Sequence, residues 1–187
     1  QAQGIGARMI DFGRSMLVCR MAHALPHDNV ATEWFGHGQT IAMLPLKDGV
    51  SSFVLTLPKH DIDALMQMTP ERFAADATRR TQARWGELRL VSTRHPYPLV
   101  AAYAERFVAP RFALIGDAAV GMHPVTAHGY NFGLSGAMTL AHILSRPARQ
   151  GGDIGRAEGL QRYERAHRAA TLRKLTATNA LARLYTD

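Results

Sequence analysis

Residues 113–134, ALIGDAAVGMHPVTAHGYNFGL, set one carboxylate among the smallest side chains and follow it with a helix-like segment. An ionised Asp117 offers only acceptors, which suits the hydroxyls of a sugar-like chain. Gly116, Ala118, Ala119 and Gly121 carry almost no side chain, so a ligand can approach the backbone closely. Pro124 and Gly129 bend the chain, and a helix is expected to begin near Tyr130 or Asn131. The first N–H groups of a helix have no partners within it and carry partial positive charge. They can hold an anion or a polarised carbonyl. Hydroxyls at one end and an electron-rich atom at the other describe a single large, flat cofactor bridging Asp117 and the segment Gly129, Tyr130, Asn131.

The elements that must position this stretch can be read from pattern. RFALIG (residues 111–116) is short and continuously apolar, as expected of a strand buried on both faces in a parallel sheet. Such a strand would deliver Gly116 and Asp117 to the carboxyl edge of the sheet, where ligands bind. From residue 131 to 144, Phe132, Leu134, Ala137, Met138, Ala141 and Leu144 recur at helical spacing. SRPARQGGDIG (145–155) reads as a loop. Residues 156–185 read as a second helix with Leu160, Tyr163, Ala170, Leu175, Leu181 and Leu184 as its apolar side.

Upstream, SMLVCRMAH (15–23), ATEWFG (31–36), QTIAMLPL (39–46) and VSSFVLTL (50–57) are β-compatible runs joined by turn-rich gaps. They predict an antiparallel sheet of four strands that needs cover on one face. TPERFAADATRRTQARW (69–85) predicts a helix with Thr69 as cap and Pro70 at its first position. ELRLVSTRHPYPL returns to extended structure and ends at Pro96 and Pro98.

The 187 residues carry 22 Lys and Arg against 15 Asp and Glu, a net charge of +7, with 47% hydrophobic residues. No basic run exceeds two residues and no aromatics interleave with them, so nucleic acid is not expected. A solvated, arginine-rich surface explains the charge. One cysteine, Cys19, sits in an apolar run, allows no intrachain disulfide and fits a reducing, cytoplasmic compartment. His123 and His128 are five residues apart across a proline-containing turn without a neighbouring cysteine or carboxylate cluster, so no metal is expected. His128 reads as a hydrogen-bonding residue beside the cofactor. GLSGA (133–137) lacks the final glycine of a nucleophile elbow and lies inside the expected helix, which sets hydrolase chemistry aside.

Gly-Asp-Ala-Ala, His-Pro, a small-x-Gly-x-Asn turn and a helix rich in Gly and Ala together resemble the second flavin motif of the aromatic-ring (class A) flavin monooxygenases, the para-hydroxybenzoate hydroxylase superfamily. IAMLPLKDGVSSFVLTLP and HPYPLVAAYAERFVAPRFALIGDAA are similar to its ubiquinone-biosynthesis hydroxylase branch, the demethoxyubiquinol-hydroxylase-like members in particular. The resemblance implies FAD as cofactor, with Asp117 on its ribityl chain, Pro124 beside the isoalloxazine ring, and the backbone from Gly129 to Asn131 at the pyrimidine edge. It further implies NAD(P)H as reductant, O2 as co-substrate and hydroxylation of an aromatic or quinone-precursor ring. Ala127, His128, Val120 and Gly136 depart from the residues common in relatives. Because the family binds its ring between sheet and flavin, Met43, Leu44 and Pro45 either line the substrate pocket or belong to ordinary core.

GIGARM (4–9) offers only Gly-x-Gly with no strand before it, so the family's amino-terminal nucleotide-binding part is expected to be missing from this chain. The expected fold class is α/β: an antiparallel substrate-domain sheet beside a remnant of a parallel FAD-binding sheet, with carboxy-terminal helices. The expected division is a substrate-binding sheet domain with helix (1–108), a second FAD-motif segment (109–146) and a carboxy-terminal helical segment (147–187). On this reading the piece is inactive alone. The alternatives are a hydroxylase of a small soluble aromatic and a non-catalytic truncated flavoprotein module. Arg156, Arg162, Arg165, Arg168, Arg173, Lys174 and Arg183 form a solvated face or a peripheral contact with an anionic membrane. A normally covered cofactor face left exposed would also let the piece pair with itself as a homo-oligomer.

Overall fold

A computed structural model describes residues 3–36, 38–47, 49–123 and 129–186, the side chains of residue 179 and of those after 180 excepted. The chain forms two compact units, one from Phe12–Leu99 and the other from Val100–Tyr185 with the first eleven residues.

In the first unit, β1 (Ala7–His23), β2 (Thr32–Gly36), β3 (Gln39–Pro45) and β4 (Val50–Pro58) lie in the order β2-β3-β4-β1. All three neighbouring pairs are antiparallel, with Leu17 opposite Leu55, Cys19 opposite Phe53, and Met43 opposite Phe53. Alternate residues Ser15, Leu17, Cys19 and Met21 of β1 are buried, the period of two that marks a half-covered strand. The cover comes from α1 (Lys59–Met66), which contributes Ile62 and Leu65, and α2 (Pro70–Arg80), which contributes Phe73, Ala74 and Ala77. Thr69 caps α2, its hydroxyl accepting from the Arg72 N–H at 3.3 Å with Pro70 in the first turn. Trp85 closes the same core and stacks on Trp34, 5.7 Å between ring centroids. β5 (Leu88–Leu90) pairs with the end of β1. Arg94 seals the helices: it donates to the carbonyls of Leu65 (2.6 Å) and Met68 (2.7 Å) and lies over the Phe73 ring.

The second unit holds the end of β6 (His95–Ala104), β7 (Val108–Ala109), β8 (Phe112–Ala113), β9 (Val120–Gly121), α3 (Gly129–Arg149) and α4 (Ala157–Thr186). β6 extends past Pro96 and Pro98, which occupy its exposed beginning, a position where a missing N–H costs little. β9 pairs antiparallel with β6. The core gathers Ala104, Phe107, Ala119, Val120, Tyr163 and Leu175. α3 runs through Pro147 to Arg149, so the loop after it is shorter than its Pro and Gly content suggests.

The observed architecture is mixed α/β, with an antiparallel sheet and carboxy-terminal helices. The apolar run at 112–115 takes a different form from the expected buried strand. Only Phe112 and Ala113 are in a strand, half-buried, and they fold back antiparallel on β7 through a tight turn with Arg111 at φ +57°. A short apolar run fixes neither which strand a segment pairs with nor how deeply it is buried: Leu114 is half-buried and Ile115 exposed. Among the described residues no helix is long and apolar enough to cross a membrane.

Candidate functional site

β8 hands the chain to a single 3-10 turn, Gly116–Ala118, in which Gly116 takes φ +57°. That left-handed conformation costs an L-residue roughly 1–2 kcal/mol, so glycine is the fitting residue here. The turn is fixed by its own bond, Ala119 N–H to the Gly116 carbonyl at 3.0 Å, and by Ala104 N–H to the Ala119 carbonyl at 3.0 Å. Ala119 and Val120 are anchored in the core, while Asp117 between them and the strand stays exposed.

α3 starts beside this turn. A Cβ placed on Gly129 would lie 3.9 Å from Asp117 Oδ1, and one on Gly133 would lie 3.3 Å from the Gly116 Cα. The carboxylate and the first turn of a 21-residue helix therefore share one place. The first turn has no acidic residue of its own to meet its partial positive charge. An open hollow of about 670 Å³ joins the two. Its described walls are Gly116, Gly129 and Gly133, apolar Ile115, Met122, Leu134 and Ala137, and Tyr130, with Asp117 as the one carboxylate among them. Ile115, Tyr130 and Leu134 are exposed, an apolar rim facing water.

The sequence-predicted residues divide three ways. Gly116, Asp117, Gly129 and Tyr130 come together around the hollow, and Asn131 sits on the same first turn, exposed. Pro124 and His128 lie outside the described residues, as does any geometry linking His123 to His128. Met43, Leu44 and Pro45 belong to the other unit. There Met43 is packed in the helix-covered core, 1% exposed, Leu44 faces the opposite side at 41%, and Pro45 is half-buried.

Sequence reasoning missed the residues that support the turn from behind. Tyr163 of α4 is fully buried, and its hydroxyl donates to the Leu114 carbonyl at 2.7 Å. Burial pushes its phenol up to about 12, so it remains a donor. His167, one turn on, stacks on Tyr163 and fills the room that a side chain at Gly136 would need. Burial moves the His167 imidazole below its ordinary range, which keeps the ring neutral. Glu164 accepts from the Phe107 N–H at 2.7 Å, and Arg168 donates to the Ala104 and Glu105 carbonyls. The available signal was the i, i+4 spacing of Tyr163 and His167, but a polar His is seldom read as core.

An exposed carboxylate is set against a glycine-lined helix start, with an apolar rim between them. Residues 11–178 match the family described as FAD binding domain, and the chain belongs to that family, the class A flavin monooxygenases. Among curated relatives, the ubiquinone hydroxylase UbiM of Neisseria meningitidis is 42% identical over 184 residues, 98% of this chain and 40% of its own length. The ubiquinone hydroxylase UbiL of Rhodospirillum rubrum is 36% identical over 187 residues, 100% of this chain and 44% of its own. Human mitochondrial ubiquinone biosynthesis monooxygenase COQ6 is 31% identical over 219 residues, 99% and 47%. The chain thus spans less than half the length of these relatives. Among solved structures, PqsL, a probable FAD-dependent monooxygenase from Pseudomonas aeruginosa, superposes with a TM-score of 0.70 at 18% identity, covering 96% of this chain and 50% of that one. HpxO from Klebsiella pneumoniae in complex with FAD gives 0.68 at 19%, covering 94% and 46%. At such identities these two structures speak to the fold alone.

FAD is the cofactor of this family. The residues present fit its central part: a carboxylate for ribityl hydroxyls, backbone laid bare by three glycines, and apolar walls for a ring.

Proposed function

We propose that this chain is part of an FAD-dependent monooxygenase that hydroxylates the ring of a ubiquinone precursor. The observation that carries the reading is the approach of Asp117 to Gly129 across a hollow lined by glycine and apolar side chains. Asp117 holds the ribityl chain. The N–H groups at residues 129–131 face the electron-rich edge of the ring and favour negative charge there. FAD held there would supply the redox chemistry, passing two electrons from NAD(P)H to O2 so that one oxygen atom enters the substrate ring and the other leaves as water. The segment 109–146 supplies this cofactor surface, as a remnant of the FAD-binding sheet, and residues 1–108 supply the substrate sheet. The names of the relatives UbiM, UbiL and COQ6 support a quinone-type substrate.

The test uses the complete product of the gene that encodes this chain, purified and examined for a visible flavin spectrum. Bound flavin is the expected result, followed by NAD(P)H- and O2-dependent hydroxylation of an isoprenoid-tailed phenol in preference to a small soluble aromatic. A colourless protein overturns the cofactor reading. Turnover of the small aromatic alone overturns the substrate. Exposed Arg162, Arg165 and Arg173 on α4 support a peripheral contact with an anionic membrane for so apolar a substrate. Vesicles containing anionic lipid should retain the protein at low salt and release it at high salt.

A further inference from the structure

We propose that Tyr163 and His167 of α4 act as a bracket of positioning residues that sets the gap between the Asp117 turn and α3. The inference rests on the FAD reading above, because that gap is where the cofactor would lie. Residues i and i+4 lie one above the other on a helix face, so these two side chains present one continuous surface. Tyr163 reaches the turn: its hydroxyl donates to the carbonyl of Leu114, three residues before Asp117. Leu114 is held in place from its other side, its N–H donating to the Phe107 carbonyl at 2.8 Å. Phe107 is tied back to α4 through Glu164. The turn therefore takes its position from α4.

His167 reaches the helix. Its ring stacks on Tyr163 at 5.5 Å and 14°, leans on Phe107 at 5.7 Å, and abuts Gly136 of α3. A Cβ at Gly136 would stand 2.7 Å from His167 Cε1 and 2.9 Å from Nε2, closer than carbon atoms pack. So α3 can settle here only with no side chain at position 136. Gly136 lies two turns beyond Gly129, within the same rigid helix, and its seat fixes where the first N–H groups stand. One side chain holds the strand end and its neighbour holds the helix, so the distance across the hollow is set by α4, none of whose described side chains lines it.

The experiment compares the complete FAD-loaded protein with Tyr163→Phe, Gly136→Ala, His167→Ala and the Gly136→Ala/His167→Ala pair. Read-outs are the FAD dissociation constant from flavin fluorescence, the shape of the visible flavin bands and Tm. Tyr163→Phe keeps the ring and loses one hydrogen bond, and should weaken FAD binding about fivefold. Gly136→Ala should weaken it more and alter the flavin bands, and His167→Ala in the same chain should restore most of the loss by vacating the space. Variants with a lowered Tm but unchanged FAD affinity and spectrum overturn the bracket, as does strict additivity in the pair. Should Gly136→Ala fail to fold, Tyr163→Phe decides alone. Absence of flavin from the unaltered protein overturns the underlying function. Flavin present and indifferent to all four variants overturns the bracket only.

Discussion

Replacing Gly133 by alanine separates the stability of α3 from its placement. Alanine is better than glycine in a helix interior by about 1 kcal/mol. Against that gain stands one contact: the new Cβ would lie 3.3 Å from the Gly116 Cα. Carbon atoms prefer roughly 3.5–4.0 Å, so α3 and the turn must part by a few tenths of an ångström. Overpacking of this kind costs about 1–3 kcal/mol. The two effects nearly cancel, and stability should fall by at most about 2 kcal/mol, a Tm shift of a few degrees in a chain of this size. FAD binding has no such compensation. The separation falls between Asp117 and the first turn of α3, the two groups proposed to grip one ligand, and loss of one well-aligned hydrogen bond weakens binding about tenfold. Flavin fluorescence titration of the complete protein measures this, with exposed Ser135→Ala on the same helix as a control for propensity alone. Gly133→Ala protein that binds FAD as tightly as the unaltered chain would refute the claim that this contact sets the cofactor site.

Arg94→Ala should destabilise the Phe12–Leu99 unit by about 2–4 kcal/mol, because two charge-assisted bonds to the Leu65 and Met68 carbonyls and a contact over Phe73 are lost together; urea unfolding reads it. His167 gives a pH dependence of known sign. Its folded-state pKa lies below the unfolded value of about 6.5, so the unfolded chain binds the proton more readily. Stability should be full above that value and fall as the pH drops below it, and His167→Gln should flatten the slope in Tm against pH. Burial pushes the Cys19 thiol up to about 12 despite the opposing charge of Arg94. A thiol reagent at pH 8 should therefore label Cys19 only as fast as the protein opens, and rapid labelling of the native chain would contradict its packing.

Some elements were legible because local chemistry determined them. The alternation in β1 to β4 and the turns between them follow from period-two burial, and Thr69-Pro70 announced α2 through its cap. Other features depend on partners that pattern cannot name. α1 follows Pro58 without a side-chain cap, so nothing marked its start. In α3 the apolar residues surround the helix: Leu134 and Met138 are exposed while Leu140 and Ile143 pack inward. A periodicity argument finds a stripe, but a helix apolar on most sides leaves the choice of face to its neighbours, here α4 and the turn. In α4 the buried line is Leu160, Tyr163, His167, Thr171, Leu175 and Thr178, while Ala170 faces out. His167 is accommodated by rings and Thr171 by donating to the His167 carbonyl at 2.8 Å, contacts that only the folded chain reveals. The juxtaposition of Asp117 and Gly129 was the part of the site that sequence anticipated. The support behind it was not.

The pleat of β3 narrows the substrate proposal. Adjacent residues of a strand point to opposite faces, so Met43 and Leu44 cannot line one pocket. Met43, opposite Phe53, lies under the helices. Leu44 pairs with Ser52, itself opposite Arg20, and shares the uncovered face with Val18 and Val54. If that face meets the substrate ring, Leu44→Ala should raise KM for the ring substrate several-fold while leaving the unfolding free energy within about 0.5 kcal/mol of the unaltered protein, as for an exposed site. Met43→Ala should do the reverse, costing about 2–5 kcal/mol of stability through the cavity it leaves. Unchanged KM in a stable Leu44→Ala protein would place the ring elsewhere, and a KM effect confined to Met43→Ala at full stability would invert the assignment of the two faces.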